Sequence, residues 1–204
     1  HVRVYTVARV MDSKLSLRTI RPGAVAAALD KARQYRRLNE PEQAESICLD
    51  ILEIEPEHLD ALKTLIMALT DQFAQGSDCV RRARLRVAQL PGEYERLYFN
   101  GLILERDARA QLAKGLSAAF AHDLFMEAIS FYERAESLRP EDNDDPILRR
   151  NSCLRTLWAE GLGLDRVGIH DDFLSLGGHS LLAIQIMRKV RDQLGVRLPL
   201  RTLY

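Results

Sequence analysis

"AESICLDILEIEPE", residues 44–57, and "AISFYERAESLRPE", residues 128–141, decide how this chain is read. Aligned on their prolines, they share one pattern. An alanine is followed by a larger residue four positions on, a small or apolar residue three further, and a proline five beyond. These are Ala44, Cys48, Ile51 and Pro56 in the first stretch and Ala128, Tyr132, Ala135 and Pro140 in the second. Spacings of three and four place the marked side chains on one helix face. Small residues there let a second helix come close, and the proline stops the segment before the next one begins.

The pattern extends outward. From Pro22 to about Leu138, alanine, leucine, arginine and glutamate dominate, with apolar residues every three or four positions. Turn chemistry interrupts the run at "LNEPEQ", "IEPEHLD", "QGSD", "LPGE", "AKGLS" and "RPEDNDD". Upstream of the first stretch, Ala32 and Tyr35 stand where a partner helix would supply a small residue and an aromatic. This resembles the tetratricopeptide repeat, a helical hairpin with a period of about 34 residues.

The resemblance implies an all-α fold of roughly three stacked hairpins. Pro56 and Pro140 are not a whole number of periods apart, so residues 59–122 are expected to be irregular. One hairpin is read around "LKTLIMALT" and "CVRRARLRVAQLP", followed by a longer helix in "YERLYFNGLILERDARAQLA". The aromatics Tyr94, Tyr98, Phe99, Phe120, Phe125, Phe131 and Tyr132 are expected in the core between hairpins, or along a peptide-binding groove. Arg81, Arg82, Arg84 and Arg86 spread over more than one helix face and read as solvated surface. At "EDNDDPILRR", Asp145 can cap a further helix and Pro146 suits its first turn. Ile147, Leu148, Asn151, Leu154, Leu157 and Trp158 continue it with helical spacing. That helix is expected both to close the hairpins and to open the next domain.

Composition excludes several classes. Lysine plus arginine total 29 and aspartate plus glutamate total 29, which gives no electrostatic case for nucleic acid or an anionic membrane surface. No apolar run approaches the roughly 20 residues of a membrane span. The three cysteines, Cys48, Cys79 and Cys153, form no CxxC pair. They read as small buried residues in a reducing compartment, so a cytoplasmic location is expected. Residues 1–20 read as an N-terminal extension with little order. Their start, "HVRVYTVARV", lacks a methionine and fits a fragment edge or upstream read-through.

Beyond the hairpins lies "FLSLGGHSLLAIQI", residues 173–186. Ser180 opens a run in which Leu182, Ile186, Met187, Val190 and Leu194 share one side of a helix, with Arg188, Lys189, Arg191 and Asp192 toward the other. A phosphate diester on the first turn of a helix meets free backbone N–H groups and the positive end of the macrodipole, worth about 0.3–1 kcal/mol at an exposed site. Gly177 and Gly178 carry no Cβ, so the chain can turn sharply and a modifying enzyme can approach.

The whole block "LWAEGLGLDRVGIHDDFLSLGGHSLLAIQIMRKVRDQLGVRLPLRTLY" resembles a peptidyl carrier domain of nonribosomal peptide synthetases, and less closely an acyl carrier. The resemblance implies a small helical bundle over residues 151–204, following a hairpin region over 21–150. It implies that Ser180 receives a 4′-phosphopantetheine arm from a separate phosphopantetheinyl transferase. Asp172 and Phe173 lie in the loop before it, Gly177, Gly178 and His179 lead into it, and Leu181 comes directly after. The arm's thiol would carry an aminoacyl or acyl thioester to partner domains of a synthetase, while the hairpins would bind a protein or peptide. Carriers of this type continue past "RTLY" into a last helix, so an incomplete bundle is expected. Gly161 inside the opening helix costs about 1 kcal/mol relative to alanine.

Two other readings compete. One is an interaction protein with an inert carrier. The other is a serine hydrolase using Ser180, which would need a strand before the serine and an acidic partner for His179. His170, Asp171 and Asp172 read as loop residues and caps.

Overall fold

A computed structural model describes residues 16–115, 118–162 and 168, and every regular element among them is helical. After a short 3-10 turn at Pro22–Ala24 come α1 (Val25–Arg37), α2 (Pro41–Ile54), α3 (Leu59–Asp71), α4 (Ser77–Val87), α5 (Glu93–Ala113), α6 (Ala118–Glu136) and α7 (Asp145–Leu162). The six turn-rich stretches picked out in the sequence are the places where helices stop. The chain divides into two compact units, one ending at Leu65 and the other beginning at Ile66.

In the first unit α1 packs on α2. The turn between them is built by Asn39, whose φ of 60° is in the left-handed region. The Glu40 N–H reaches back to the Tyr35 carbonyl at 2.9 Å and the Asn39 N–H to that of Arg36 at 3.1 Å. This pair of bonds is the Schellman closure of a helix end, with asparagine where glycine is commoner. Pro41 then opens α2 at a position where a missing N–H costs nothing. Ala32, Ala44, Cys48 and Ile51 are all fully buried, at 0% exposure. Val25, Leu29 and Ala61 complete this core, each large aliphatic contributing about 1.5–3 kcal/mol on burial. The start of α3 is held by His58, whose Nδ1 accepts the Ala61 N–H at 3.3 Å, and by an Arg33–Asp60 bond of 2.8 Å from α1.

In the second unit α4 packs on α5, α5 on α6, and α6 on α7. Ala128, Tyr132 and Ala135 lie fully buried on α6, matching their counterparts in α2. Gly115, at a φ of 67°, ends α5 with its N–H on the Leu112 carbonyl at 2.9 Å. Side-chain pairs Tyr94–Asn143, Glu105–Arg149 and Arg109–Thr156 advance together along α5 and α7, so these two helices run in the same direction.

Phe99, Phe125 and Tyr132 are core, as expected, and Tyr94, Tyr98 and Phe131 are partly covered. Phe120 departs from expectation: it is 52% exposed, because it lies in the first turn of α6 and Ala121, not Phe120, faces the core. The N–H of Asp145 is taken by the Asn143 side chain at 3.0 Å, so the capping amide sits two residues before the expected aspartate. Cys48 and Cys153 are buried, while Cys79 is only partly so. Burial pushes both buried thiols up to about 12, against the pull of nearby arginines. Arg81 and Arg82 lie on the surface as expected, both within reach of Asp78.

Candidate functional site

α7 is the last helix among the described residues and precedes Ser180 in sequence. Its inward face carries Pro146, Arg149, Cys153 and Leu157, at the three- and four-residue spacing that one helix side requires. Pro146 and Cys153 are fully buried. Leu154 and Leu157 pack partly against the core made by α5 and α6.

A carboxylate organises this contact. Glu105, in the middle of α5, is 1% exposed. Taking a carboxylate out of water costs several kcal/mol unless it is paired and hydrogen-bonded. Glu105 is both. The Tyr132 hydroxyl of α6 donates to Oε2 at 2.7 Å, Arg109 Nε donates to Oε1 at 3.1 Å, and Arg149 of α7 reaches Oε1 at 3.5 Å. Arg109 goes further: its two terminal nitrogens donate to Ser152 Oγ at 3.0 Å and Thr156 Oγ1 at 3.2 Å, both on α7. Its guanidinium also sits 5.6 Å from the Phe125 ring centre. At the periphery Arg150 Nε meets Glu133 at 2.9 Å, joining α7 to α6 once more.

The titration behaviour of the cluster is set by these contacts. Burial, then the neighbouring Glu105 carboxylate, pushes the Tyr132 phenol far up, so it stays a donor throughout the ordinary pH range. Burial works against the Arg149 charge, but Glu105 and Tyr98 outweigh it and hold the guanidinium more firmly protonated. Tyr132 and Arg149 therefore both stay protonated, and the cluster acts as a lock between α5, α6 and α7.

Sequence reading missed this cluster, although one clue was present. In "GLILERDARA" the glutamate falls on the face shared by Gly101, Leu102 and Ala108, where an unpaired charge does not persist. The residues singled out in the sequence, Ser180 with Gly177, Gly178, His179, Asp172 and Leu181, all lie outside the described residues. Phe173, His170 and Asp171 do as well. Among the described residues no group of acidic, histidine and cysteine side chains could hold a metal ion, and no helix is long and apolar enough to cross a membrane.

Comparison with known proteins bears on this C-terminal region. Residues 153–204 match the family described as the phosphopantetheine attachment site. The chain is 47% identical over 64 residues to malpinin synthetase of Mortierella alpina, covering 31% of this chain and 1% of that protein. It is 43% identical over 61 residues to gramicidin S synthase 2 of Aneurinibacillus migulanus, covering 30% of this chain and 1% of that protein. It is 46% identical over 59 residues to surfactin synthase subunit 3 of Bacillus subtilis (strain 168), covering 29% of this chain and 5% of that protein. The chain thus spans only a few hundredths of the length of such relatives. No solved structure matches it.

The matched region opens at Cys153, inside α7, so residues 153–162 belong both to the helix locked by Glu105 and to the family match. A serine hydroxyl can form a phosphodiester, and the matched segment contains Ser180 directly after Gly177, Gly178 and His179 in sequence. When attached, 4′-phosphopantetheine contributes a thiol that holds an acyl group as a thioester. Residues 153–204 are thus similar to a phosphopantetheine attachment site and to short segments of these peptide synthetases.

Proposed function

We propose that this chain holds 4′-phosphopantetheine on Ser180 and presents an aminoacyl or acyl thioester to partner domains of a synthetase, from a scaffold of tetratricopeptide-like hairpins. The observation that carries the reading is the match over residues 153–204 to a phosphopantetheine attachment site, with one serine behind the glycine pair. Gly177, Gly178, His179, Asp172 and Leu181 are assigned with Ser180 to the attachment site. A phosphopantetheinyl transferase working from coenzyme A installs the arm. The carrier region is taken as 151–204 and the hairpin region as 21–150, in a cytoplasmic protein.

The hairpin region's own partner is a protein or peptide. A cleft of about 380 Å³ in the second unit favours an acidic segment: Phe73 and Val80 give it apolar walls, and Arg81, Arg84 and Lys114 outnumber Asp107.

Intact-protein mass spectrometry tests the main reading after incubation with coenzyme A and a promiscuous transferase. One pantetheine arm gained by the wild type and absent from Ser180→Ala is the expected result. An unmodified wild type sinks the carrier role and leaves the hairpins as the working part.

A further inference from the structure

The two ends of α5 carry opposite charge. Toward its C-terminal end lies the cleft of about 380 Å³, where Phe73 and Val80 give apolar lining and Arg84 of α4 faces Lys114 of α5. Arg81 at its edge is already held by Asp78 at 2.6 Å, and Asp107 takes a hydrogen bond from Gln111 at 2.8 Å. Arg84 and Lys114 have no ion-pair partner among the described residues. The walls are tied together, because Arg106 of α5 bonds Asp71 of α3 at 3.0 Å and Lys114 Nζ donates to the Phe73 carbonyl at 3.4 Å.

The loop between α6 and α7 stands at the other end and is ordered from within. Asn143 donates its side-chain amide to the Tyr94 hydroxyl at 2.8 Å and its backbone N–H to the Pro140 carbonyl at 3.1 Å. Arg139 Nε donates to Asp144 at 3.2 Å. Glu141 and Asp142 are left exposed, with no ion-pair partner among the described residues. Leu138, just before them in sequence, is 46% exposed. The loop thus offers an apolar side chain and two carboxylates, and the cleft offers apolar lining and two cations.

This loop cannot fill the cleft of its own chain. Asn143 ties it to Tyr94 in the first turn of α5, whereas Gln111 stands in the last turn. At a rise of 1.5 Å per residue, those two positions are about 25 Å apart. Glu141 is two residues from Asn143, a span of at most about 7 Å.

We propose that copies of this chain associate head to tail, with Leu138, Glu141 and Asp142 of one copy seated in the α3–α4–α5 cleft of the next. This rests on the reading of the cleft as a seat for an acidic segment, and it names the segment. The two patches differ and lie at opposite ends of one helix, so the contact is heterologous. Each added copy brings a fresh loop and a fresh cleft, and growth does not stop at two. The loop is ordered beforehand, so seating it loses little freedom. Exposed charge pairs are individually weak and screened by salt, which makes the assembly dependent on concentration and ionic strength.

Sedimentation velocity on the full chain tests this, under reducing conditions so that no cysteine links two copies. Protein concentration is raised in about 0.01 M and in about 1 M salt, between which the screening length falls from about 30 Å to about 3 Å. The wild type should grow past a dimer at low salt and return to monomer at high salt. Arg84→Glu spoils the cleft and keeps the loop, whereas Glu141→Gln with Asp142→Asn spoils the loop and keeps the cleft. Each should weaken association by about tenfold or more. All three positions are exposed, so the fold should survive, and circular dichroism checks it. Mixed in equal amounts, the two variants retain one good contact and should form a 1:1 dimer that grows no further.

A wild type that stays monomeric at low salt would overturn the proposal, as would association that neither variant weakens or a mixture that grows past 1:1. Association lost in Arg84→Glu but kept in the loop variant would overturn the choice of segment. A labelled peptide of residues 136–145 separates this proposal from the cleft reading beneath it. A monomeric wild type that binds the peptide sinks the assembly and keeps the acidic seat, and one that does not bind it sinks both. Modification of Ser180 is read independently, since both patches lie outside residues 153–204.

Discussion

The ring of Tyr132 lies against the bare backbone of Gly101, so close that a methyl group added there would sit 2.8 Å from Cε1 and 3.0 Å from Cδ1. The ring cannot swing aside cheaply, because its hydroxyl is held by Glu105 at 2.7 Å and its whole surface is buried. At this point α5 and α6 come close enough that only glycine fits on α5.

Gly101→Ala is therefore expected to destabilise the fold. Alanine gains about 1 kcal/mol in helix propensity. The overpacked ring costs about 1–3 kcal/mol. Urea denaturation should show a lower midpoint for the variant. Placed on Tyr132→Val, where the ring is gone, the same alanine should become neutral or stabilising. An equal loss in both backgrounds would mean that the ring is not the obstacle.

Tyr132→Phe, with the ring retained, tests the polar half of the same residue. It leaves one Glu105 oxygen short of a donor in a buried place and should cost about 1.5–3 kcal/mol. The chain's single tryptophan, Trp158, sits on α7, so its fluorescence reports the loss from the helix that Glu105 secures.

Thiol reactivity should be uneven. Burial raises the Cys48 and Cys153 thiols to about 12, which leaves almost no thiolate at neutral pH, whereas Cys79 is only partly covered. A disulfide reagent should titrate one thiol per native chain at pH 7 and all three once the protein is unfolded. Rapid reaction at Cys153 would mean that α7 opens readily.

Stability should fall at both ends of the pH scale. Cys48 and Cys153 are raised in the folded state, so their contribution is complete below their ordinary value near 9 and disappears as pH rises toward 12. His122 is lowered by burial, and its Nδ1 is buried without a hydrogen bond, 3.7 Å from Asp123. Its contribution is present above the ordinary histidine value of 6.5 and is lost as pH falls through the depressed folded value. Melting temperatures should decline below about pH 6 in the wild type and decline less in His122→Leu. Identical acid limbs would remove His122 from the account.

Helix existence and helix ends were legible because they rest on local chemistry. Pro41 and Gly115 act within a few residues of themselves, and Ala44, Cys48, Ala128 and Tyr132 repeat a spacing. The attachment segment was legible in the same way, since "GGHSLL" is contiguous. Glu105 was not, because its meaning depends on Tyr132, Arg149 and Thr156, which stand far along the chain and meet it or its arginine only after folding. Phe120 was misplaced for a related reason: composition says that an aromatic is apolar, but only the phase of α6 says which way it points.

The continuity of α7 bears on how such a chain can be cut and recombined. A swap of carriers made at residue 151 would sever the helix between Arg149 and Ser152, giving the lock's two halves to different parents. A junction that keeps the lock whole must leave Glu105, Arg109 and Tyr132 together with α7. Chimeras joined before Glu93 keep α5, α6 and α7 from one parent, and chimeras joined after Arg149 inside α7 can inherit a cation in search of its carboxylate.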